Sequence, residues 1–134
     1  MTLSQPSILD HSCDCLLSVT AIADLSVESA TDLYRVPTGK TLILTKAYLR
    51  AAGDVGAAGV VTIGRFGAVT DFVGTTNLDN LDDAGDVILI APVPSATPAM
   101  LKEYVAAERI QLDVATAGNA VAATCYLFGI LDDA

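Results

Sequence analysis

The sequence predicts an all-β protein: a single jelly-roll-like β-sandwich of about seven or eight antiparallel strands, preceded by an extended N-terminal arm. Three observations carry that expectation. Short stretches rich in Val, Ile, Thr and Tyr recur along the chain, divided by Gly, Pro, Asn and Asp at the spacing of a sandwich or barrel. Within several of them apolar and polar residues alternate, the period of a half-buried strand. No segment makes a convincing helix. The 134 residues suit one domain, since a single core can be built at this length and two would each be marginal.

Residues 1–19 have no clean period, with Leu3, Ile8, Leu9, Leu16 and Leu17 scattered among Ser, Thr, Asp and Pro6. They read as an arm ahead of a sandwich domain at 20–134, with aliphatics that would adhere either to that domain or to a neighbour. From Ala21, the residues Ile22, Asp24, Ser26 and Glu28 alternate with Ala23, Leu25 and Val27, giving a half-buried first strand. Tyr34-Arg35-Val36 then enters a turn at Pro37-Thr38-Gly39-Lys40, where Pro presets its backbone angle and Gly permits the left-handed one. Thr41 to Ala51 is the longest β-rich stretch. It puts Ile43, Thr45, Ala47 and Leu49 on one face and Lys46, Tyr48 and Arg50 on the other, a central strand with its cations outward.

A loop through Gly53, Gly56 and Gly59 leads to a strand from Val60 to Phe66 and a shorter one from Thr70 to Val73. Thr75 to Asp86 is polar and acidic and reads as a long surface loop. Val87 to Ala91 reads as a strand buried on both faces. Pro92, Pro94 and Pro98 make the next connection an extended one, unfit for a central strand. Several residues between Met100 and Val114 would suit a helix. Against that, Ile110, Leu112 and Val114 alternate with Gln111, Asp113 and Ala115, which gives strands at Leu101–Val105 and Arg109–Thr116 around a turn at Ala106–Glu108. Ala117-Gly118-Asn119 is a further turn, and Val121 to Leu131 closes the domain as a strand of mixed faces.

Composition narrows the functional classes. The chain is 52% apolar and 17% charged, with no Trp and one His, an excess of apolar over charged residues expected where subunits cover part of the surface. Sixteen acids against seven bases give a net charge of -9, which argues against nucleic acid as a partner. No apolar run approaches the roughly 18 to 20 residues of a membrane-spanning helix. No Lys or Arg precedes Arg35, so the basic flank of a signal peptide is not seen. Three cysteines, Cys13, Cys15 and Cys125, do not fit a disulfide-stapled module.

At Val36-Pro37-Thr38-Gly39-Lys40-Thr41 and the alternating strand after it, the chain resembles the small β-sandwich decoration, or cement, proteins of tailed-phage heads. The run Tyr104-Val105-Ala106-Ala107-Glu108-Arg109-Ile110-Gln111-Leu112-Asp113-Val114 and the closing Tyr126-Leu127-Phe128-Gly129-Ile130-Leu131 are similar to the same group, although Glu108 stands where Gly is more usual. The resemblance spans residues 34 to 131. It implies a structural virion protein on the outer surface of the capsid, made in the host cytoplasm, that clamps neighbouring major capsid subunits and is often a homotrimer.

Residues with catalytic or ligating chemistry are few. His11, Cys13 and Cys15 offer one nitrogen and two sulfurs within five residues, short of the four ligands of a zinc site, and Cys125 is distant in sequence. A cysteine nucleophile with His11 as its base would sit on the arm. Asp71, Asp79, Asp82, Asp83 and Asp86 do not form a calcium-loop frame, because Asn80-Leu81-Asp82-Asp83-Ala84-Gly85 fails at its fifth position. No catalytic, cofactor or metal residue is therefore assigned, and no enzyme activity is expected. The competing class, a jelly-roll module binding a ligand such as a sugar, would have Tyr34, Tyr48, Phe72 and Tyr104 as its aromatic donors. Finally, residues 35–65 hold five bases and only Asp54 as an acid, while 66–101 hold five acids and no base. This is either a subunit dipole that could dock base to acid or mere alternation between strands and loops.

Overall fold

The computed structural model describes residues 14–92, 101 and 103–134. They form nine strands: β1 (Cys15–Ile22), β2 (Ala30–Arg35), β3 (Lys40–Ala51), β4 (Val60–Arg65), β5 (Ala68–Asn77), β6 (Val87–Ile90), β7 (Glu103–Val105), β8 (Arg109–Thr116) and β9 (Ala123–Asp133). Every pairing is antiparallel. The first sheet runs β1-β9-β3-β6, with β7 pairing further along the same edge of β3, and the second runs β2-β8-β4-β5. Because β6 and β7 share one strand position, the order is that of an eight-position jelly roll. The strand count expected from sequence is exceeded by this one divided strand.

The core lies between the sheets. Leu42, Leu44, Leu49 and Leu127 of the first sheet meet Val61, Ile63, Ile110 and Leu112 of the second, all fully buried. Each such side chain contributes roughly 1.5–3 kcal/mol relative to leaving it in water. Loop residues close the core at one end: Leu25, Leu78 and Leu81 are as buried as the strand residues. There, backbone bonds stitch the loops together, Leu25 N to Val121 O at 2.9 Å, Val55 N to Leu81 O at 2.9 Å and Leu78 N to Gly59 O at 3.0 Å. At the other end lie the turns 36–39, 66–67 and 106–108. Gly39 has φ of +79°, as its turn requires, and Lys40 N donates to Pro37 O at 3.2 Å.

Several expectations are corrected. Residues 15–19, read as arm, belong to β1, which pairs with β9 from Cys15↔Gly129 to Ile22↔Ala123; residues 1–13 lie outside the described residues. Of the alternating stretch Ala21 to Glu28, Ala21 and Ile22 end β1 and the rest is a turn, in which Asp24 Oδ1 accepts from Ser26 N at 2.8 Å and Ser26 Oγ at 2.6 Å while Leu25 plugs the core. A polar side chain closing such an Asx turn mimics strand alternation on paper. In β3 a bulge between Leu44 and Lys46 shifts the register with β9. Leu42 and Leu44 face inward before it and Ala47, Leu49 and Ala51 after it, so Ile43 lies on the outer side with Lys46, Tyr48 and Arg50.

β5 extends to Asn77, longer than the Thr70–Val73 expected, and the acidic loop correspondingly begins at Leu78. That loop is anchored, since Leu78 and Leu81 are buried and Asp86 Oδ2 accepts from the backbone of Asp82 and Asp83 at 3.1 and 2.9 Å. β6 is not buried on both faces: as an edge strand it turns Val87 and Leu89 to the surface, 52% and 57% exposed. The proline connection expected at 92–98 lies, beyond Pro92, outside the described residues. The second half of the chain follows expectation more closely, with the turn at 106–108 and β8 where they were expected, although β7 covers only Glu103–Val105 of the expected Leu101–Val105. β9 ends at Asp133, and its alternation is regular, Ala123, Cys125, Leu127, Gly129 and Leu131 facing in.

The turn into β8 carries a strained residue. Ala107 has φ of +71°, the one non-glycine positive φ among the described residues, in the left-handed region that costs an L-residue roughly 1–2 kcal/mol. Glu108 compensates: its Oε1 accepts from Val105 N at 2.8 Å and its Oε2 from Arg65 Nη1 at 2.9 Å. Ala107→Gly is therefore expected to stabilise the fold by about 1 kcal/mol, part of the relief being offset by the added freedom of the unfolded chain. A rise in the urea midpoint at unchanged slope would show it.

Candidate interaction surface

The outer face of the first sheet is the most distinctive surface of the molecule. Residues directly opposite across paired strands share a face, so the register defines its rows. Val19 opposes Tyr126, Tyr126 opposes Tyr48, and Tyr48 opposes Leu89, an apolar and aromatic row crossing β1, β9, β3 and β6. One neighbouring row is Leu16, Phe128 and Lys46; the other is Ala21, Thr124, Arg50 and Val87. Leu16, Val19, Val87 and Leu89 are exposed, and the aromatics between them are half-buried.

Local packing fixes the centre of this face. Tyr48 and Phe128 meet edge to face at 5.6 Å between ring centroids, and Lys46 Nζ lies 5.2 Å from the Phe128 centroid. Lys46 Nζ is also 3.5 Å from Asp14, whose carboxylate accepts from Thr45 Oγ1 at 2.7 Å. Rigid aromatics ringed by aliphatics, with cations beside them, are what the buried centre of a protein interface contains. Sequence reasoning placed Lys46, Tyr48 and Arg50 outward but missed Leu16, Val19, Leu89 and Tyr126. The available signal was that apolar residues in 15–22 and 87–90 occupy both strand parities.

At the turn end, a polar cluster joins the two sheets. Tyr104 of β7 is fully buried and donates its hydroxyl to Asp71 Oδ1 of β5 at 2.8 Å. Arg65 Nε lies 3.2 Å from Asp71 Oδ2, and its other arm bonds Glu108. Burial, then the bond to Asp71, pushes the Tyr104 hydroxyl far above the usual phenol range. This cluster ties the sheets where β7 bridges to β5.

Among the described residues, the other sequence candidates do not assemble into a site. Cys125 is buried in β9, its thiol pushed by burial from an ordinary 9.0 up to about 12, so it is no nucleophile. Cys15 directs its Sγ toward Gly129 O at 3.6 Å, and His11 and Cys13 lie outside the described residues. No cluster of His, Cys, Asp or Glu among the described residues could hold a metal ion. Phe72 and Tyr104, two of the four aromatic donors suggested for a ligand pocket, are buried in the core. A recess of about 320 Å³ at the loop end, between Arg50, Ala51, Gly85, Ala122 and Thr124, has no aromatic wall.

The two buried acids have a consequence for pH. Tyr104 and Cys125 are held neutral in the fold while the unfolded chain ionises them above about 10 and 9. The stability they contribute is thus whole below those values and is lost as pH rises, each by up to about 1.4 kcal/mol per pH unit. The urea midpoint is expected to fall above pH 9, and Cys125→Val should flatten the first part of that fall.

Together these features define an all-β jelly-roll protein with a broad apolar sheet face and no assembled catalytic constellation among its described residues. The same fold occurs in phage shells. The chain is similar, at 19% identity, to a chain of the acidic stable capsid structure of Helicobacter pylori bacteriophage KHP30, with a TM-score of 0.58 over 90% of this chain and 89% of that one. A chain of the cyanophage Pam1 capsid asymmetric unit is similar at 11% identity, with a TM-score of 0.58 over 97% and 94%. No family model and no curated protein matches the sequence.

Proposed function

We propose that this protein is a non-enzymatic structural component of a phage virion that decorates the outer surface of the head, its first sheet clamping neighbouring major capsid subunits. The observation that carries the reading is the row Val19–Tyr126–Tyr48–Leu89 with its exposed aliphatic ends, on a fold shared with chains of two phage capsids. A contiguous exposed apolar face of this kind marks a surface that a partner covers. Lys46 and Arg50 at its margin favour a carboxylate-bearing shell surface and set the register of docking.

The mechanism is additive. Each copy buries an interface on the order of the standard 1,600 Å², and association into a homotrimer converts several modest attachments into avidity. Binding only to the mature shell stabilises that state by mass action. Neither nucleic acid nor membrane is a partner in this reading. Incubating the purified chain with mature heads that lack it, then sedimenting the heads, tests the proposal. Saturable co-sedimentation is expected; a chain that stays in the supernatant at all concentrations would overturn it.

A further inference from the structure

We infer that the outer edge of β1 is a contact between two copies of this chain, the strand pairing antiparallel with its own counterpart about a twofold axis. The pairing runs the two first sheets together, edge to edge, into one continuous sheet. It extends the face described above but needs no shell to form. It is also separate from the threefold association read there, and joins chains that belong to neighbouring trimers.

A sheet edge offers a row of unpaired backbone N–H and C=O groups, which proteins blunt with charge, proline, bulges or brevity. The edges of the two sheets are β1, β6 and β7 on the first and β2 and β5 on the second. β2 is guarded by Asp32 and Arg35, and β5 by Asp71 and two register shifts against β4. β6 has four residues and β7 three. β1 is different, since its eight residues hold no charge, proline or glycine. A bulge between Leu16 and Ser18 disturbs only its beginning and leaves Ser18 to Ile22 in regular register with β9. Among the described residues, no backbone bond reaches Leu16 to Ile22 from the side away from β9.

Such an edge calls for an extended strand, and the side chains of β1 select its own counterpart. Antiparallel pairing about an axis normal to the sheet keeps the outer faces of both copies on the same side. Centred on Val19, it sets Val19 opposite Val19 of the second copy. That residue ends the apolar row and is 55% exposed. The row Leu89, Tyr48, Tyr126, Val19 then continues through the second copy in reverse order.

The inner side of the strand points the same way. Ser18 and Thr20 lie on the face of Leu127 and Cys125, and the twofold sets each opposite the other, twice. Ser18 Oγ is buried and has no hydrogen-bond partner among the described residues. Thr20 Oγ1 reaches only Leu33 O, at 3.5 Å, the long limit for such a bond. Ser and Thr directly opposite across strands bond one another, and the Ser18 hydroxyl has no bond to lose in turning about χ1 toward the added strand. A charged strand from another protein would find no counter-charge on β1 and no reciprocal pair of hydroxyls. The doubled face lies on one side of the joined sheet, so both copies could meet a shell at once and gain avidity.

The contact is tested on the full chain without heads. Sedimentation velocity over a concentration series is expected to show association of the native protein. Val19→Lys sets two ammonium groups opposite one another and should raise the dissociation constant at least about tenfold, the scale of a lost interface anchor. Val27→Lys, at an equally exposed valine in the turn after β1, should leave it unchanged. Thermal melts would verify that both variants are folded. Hydrogen exchange gives the backbone readout: amides of Leu16 to Ile22 should be slower in the associated native chain than in Val19→Lys at the same concentration. A native chain that does not associate overturns the contact, as does association that Val19→Lys leaves intact. Equal exchange of the β1 amides in the two chains also overturns it, because the edge is then either open in the assembly or covered within its own chain. None of these outcomes bears on co-sedimentation with heads, whose failure would in turn leave the edge contact standing.

Discussion

Gly64→Ala is expected to destabilise the fold by at least about 3 kcal/mol, the upper range of overpacking, and to shift the urea midpoint accordingly. A Cβ at position 64 would stand 2.3 Å from Ala68 O, 2.6 Å from Val69 C and 2.8 Å from Asp71 N. All three are backbone atoms of β5, which curls over β4 at this point through two register shifts between Val61 and Arg65. No side-chain rotamer can relieve the clash; β5 would have to lift. Lifting it pulls Asp71 from the Tyr104 hydroxyl and loosens the cluster that ties the two sheets. Gly74, in the same strand, is the control, since a Cβ there meets nothing within 4 Å. Gly74→Ala should be tolerated, and equal effects at the two positions would refute this account of the β4–β5 packing.

The second large effect is on association rather than stability. Val19→Asp combined with Leu89→Asp is expected to abolish co-sedimentation with mature heads, with a loss of about 2–4 kcal/mol for each disrupted anchor, while the urea midpoint stays near that of the native chain. The two residues end the same row on opposite edges of the first sheet, and each is more than half exposed in the isolated molecule, at 55% and 57%. Exposed positions of this kind tolerate charge within the monomer, usually to about 0.5 kcal/mol. In a covered interface the same carboxylates would be buried without partners. Retained binding by the double variant would move the attachment away from this face.

Local chemistry determined which parts of the fold were legible. Strands bounded by turn residues and patterned with period two, such as Arg109–Thr116, could be placed because their alternation follows from a single buried face. The Pro37–Lys40 turn was legible because Pro and Gly have conformations few other residues share. The bulge in β3 was not, since one extra residue reverses the facing of Ile43 relative to Ala47 without leaving a compositional trace. The Asp24–Ser26 turn was misread for the opposite reason: its apolar residue at Leu25 happened to fit an alternating frame. Leu78 and Leu81 were hidden within an acidic run, although two leucines three residues apart there were the available sign of an anchored loop.

The interaction surface was only half legible. Lys46, Tyr48 and Arg50 followed from the parity of one strand, but the row they belong to needs cross-strand register, which depends on partners far apart in sequence. The charge asymmetry was visible as two blocks, yet only the topology shows that the acidic loop and Arg50 are neighbours, Asp86 O accepting from Ala51 N at 2.9 Å. Arg50 and, at the far end of the sandwich, Arg35 are the arginines with no ion pair among the described residues.

The central claim, that this chain is a head decoration held to the shell by its first sheet, meets its most direct test in a quantitative census of the proteins in purified phage particles that encode it. Decoration predicts the chain at hundreds of copies per particle, in fixed ratio to the major capsid protein and released before the shell itself breaks. A chain missing from the particles, or present at only a few copies with the tail, would contradict the account.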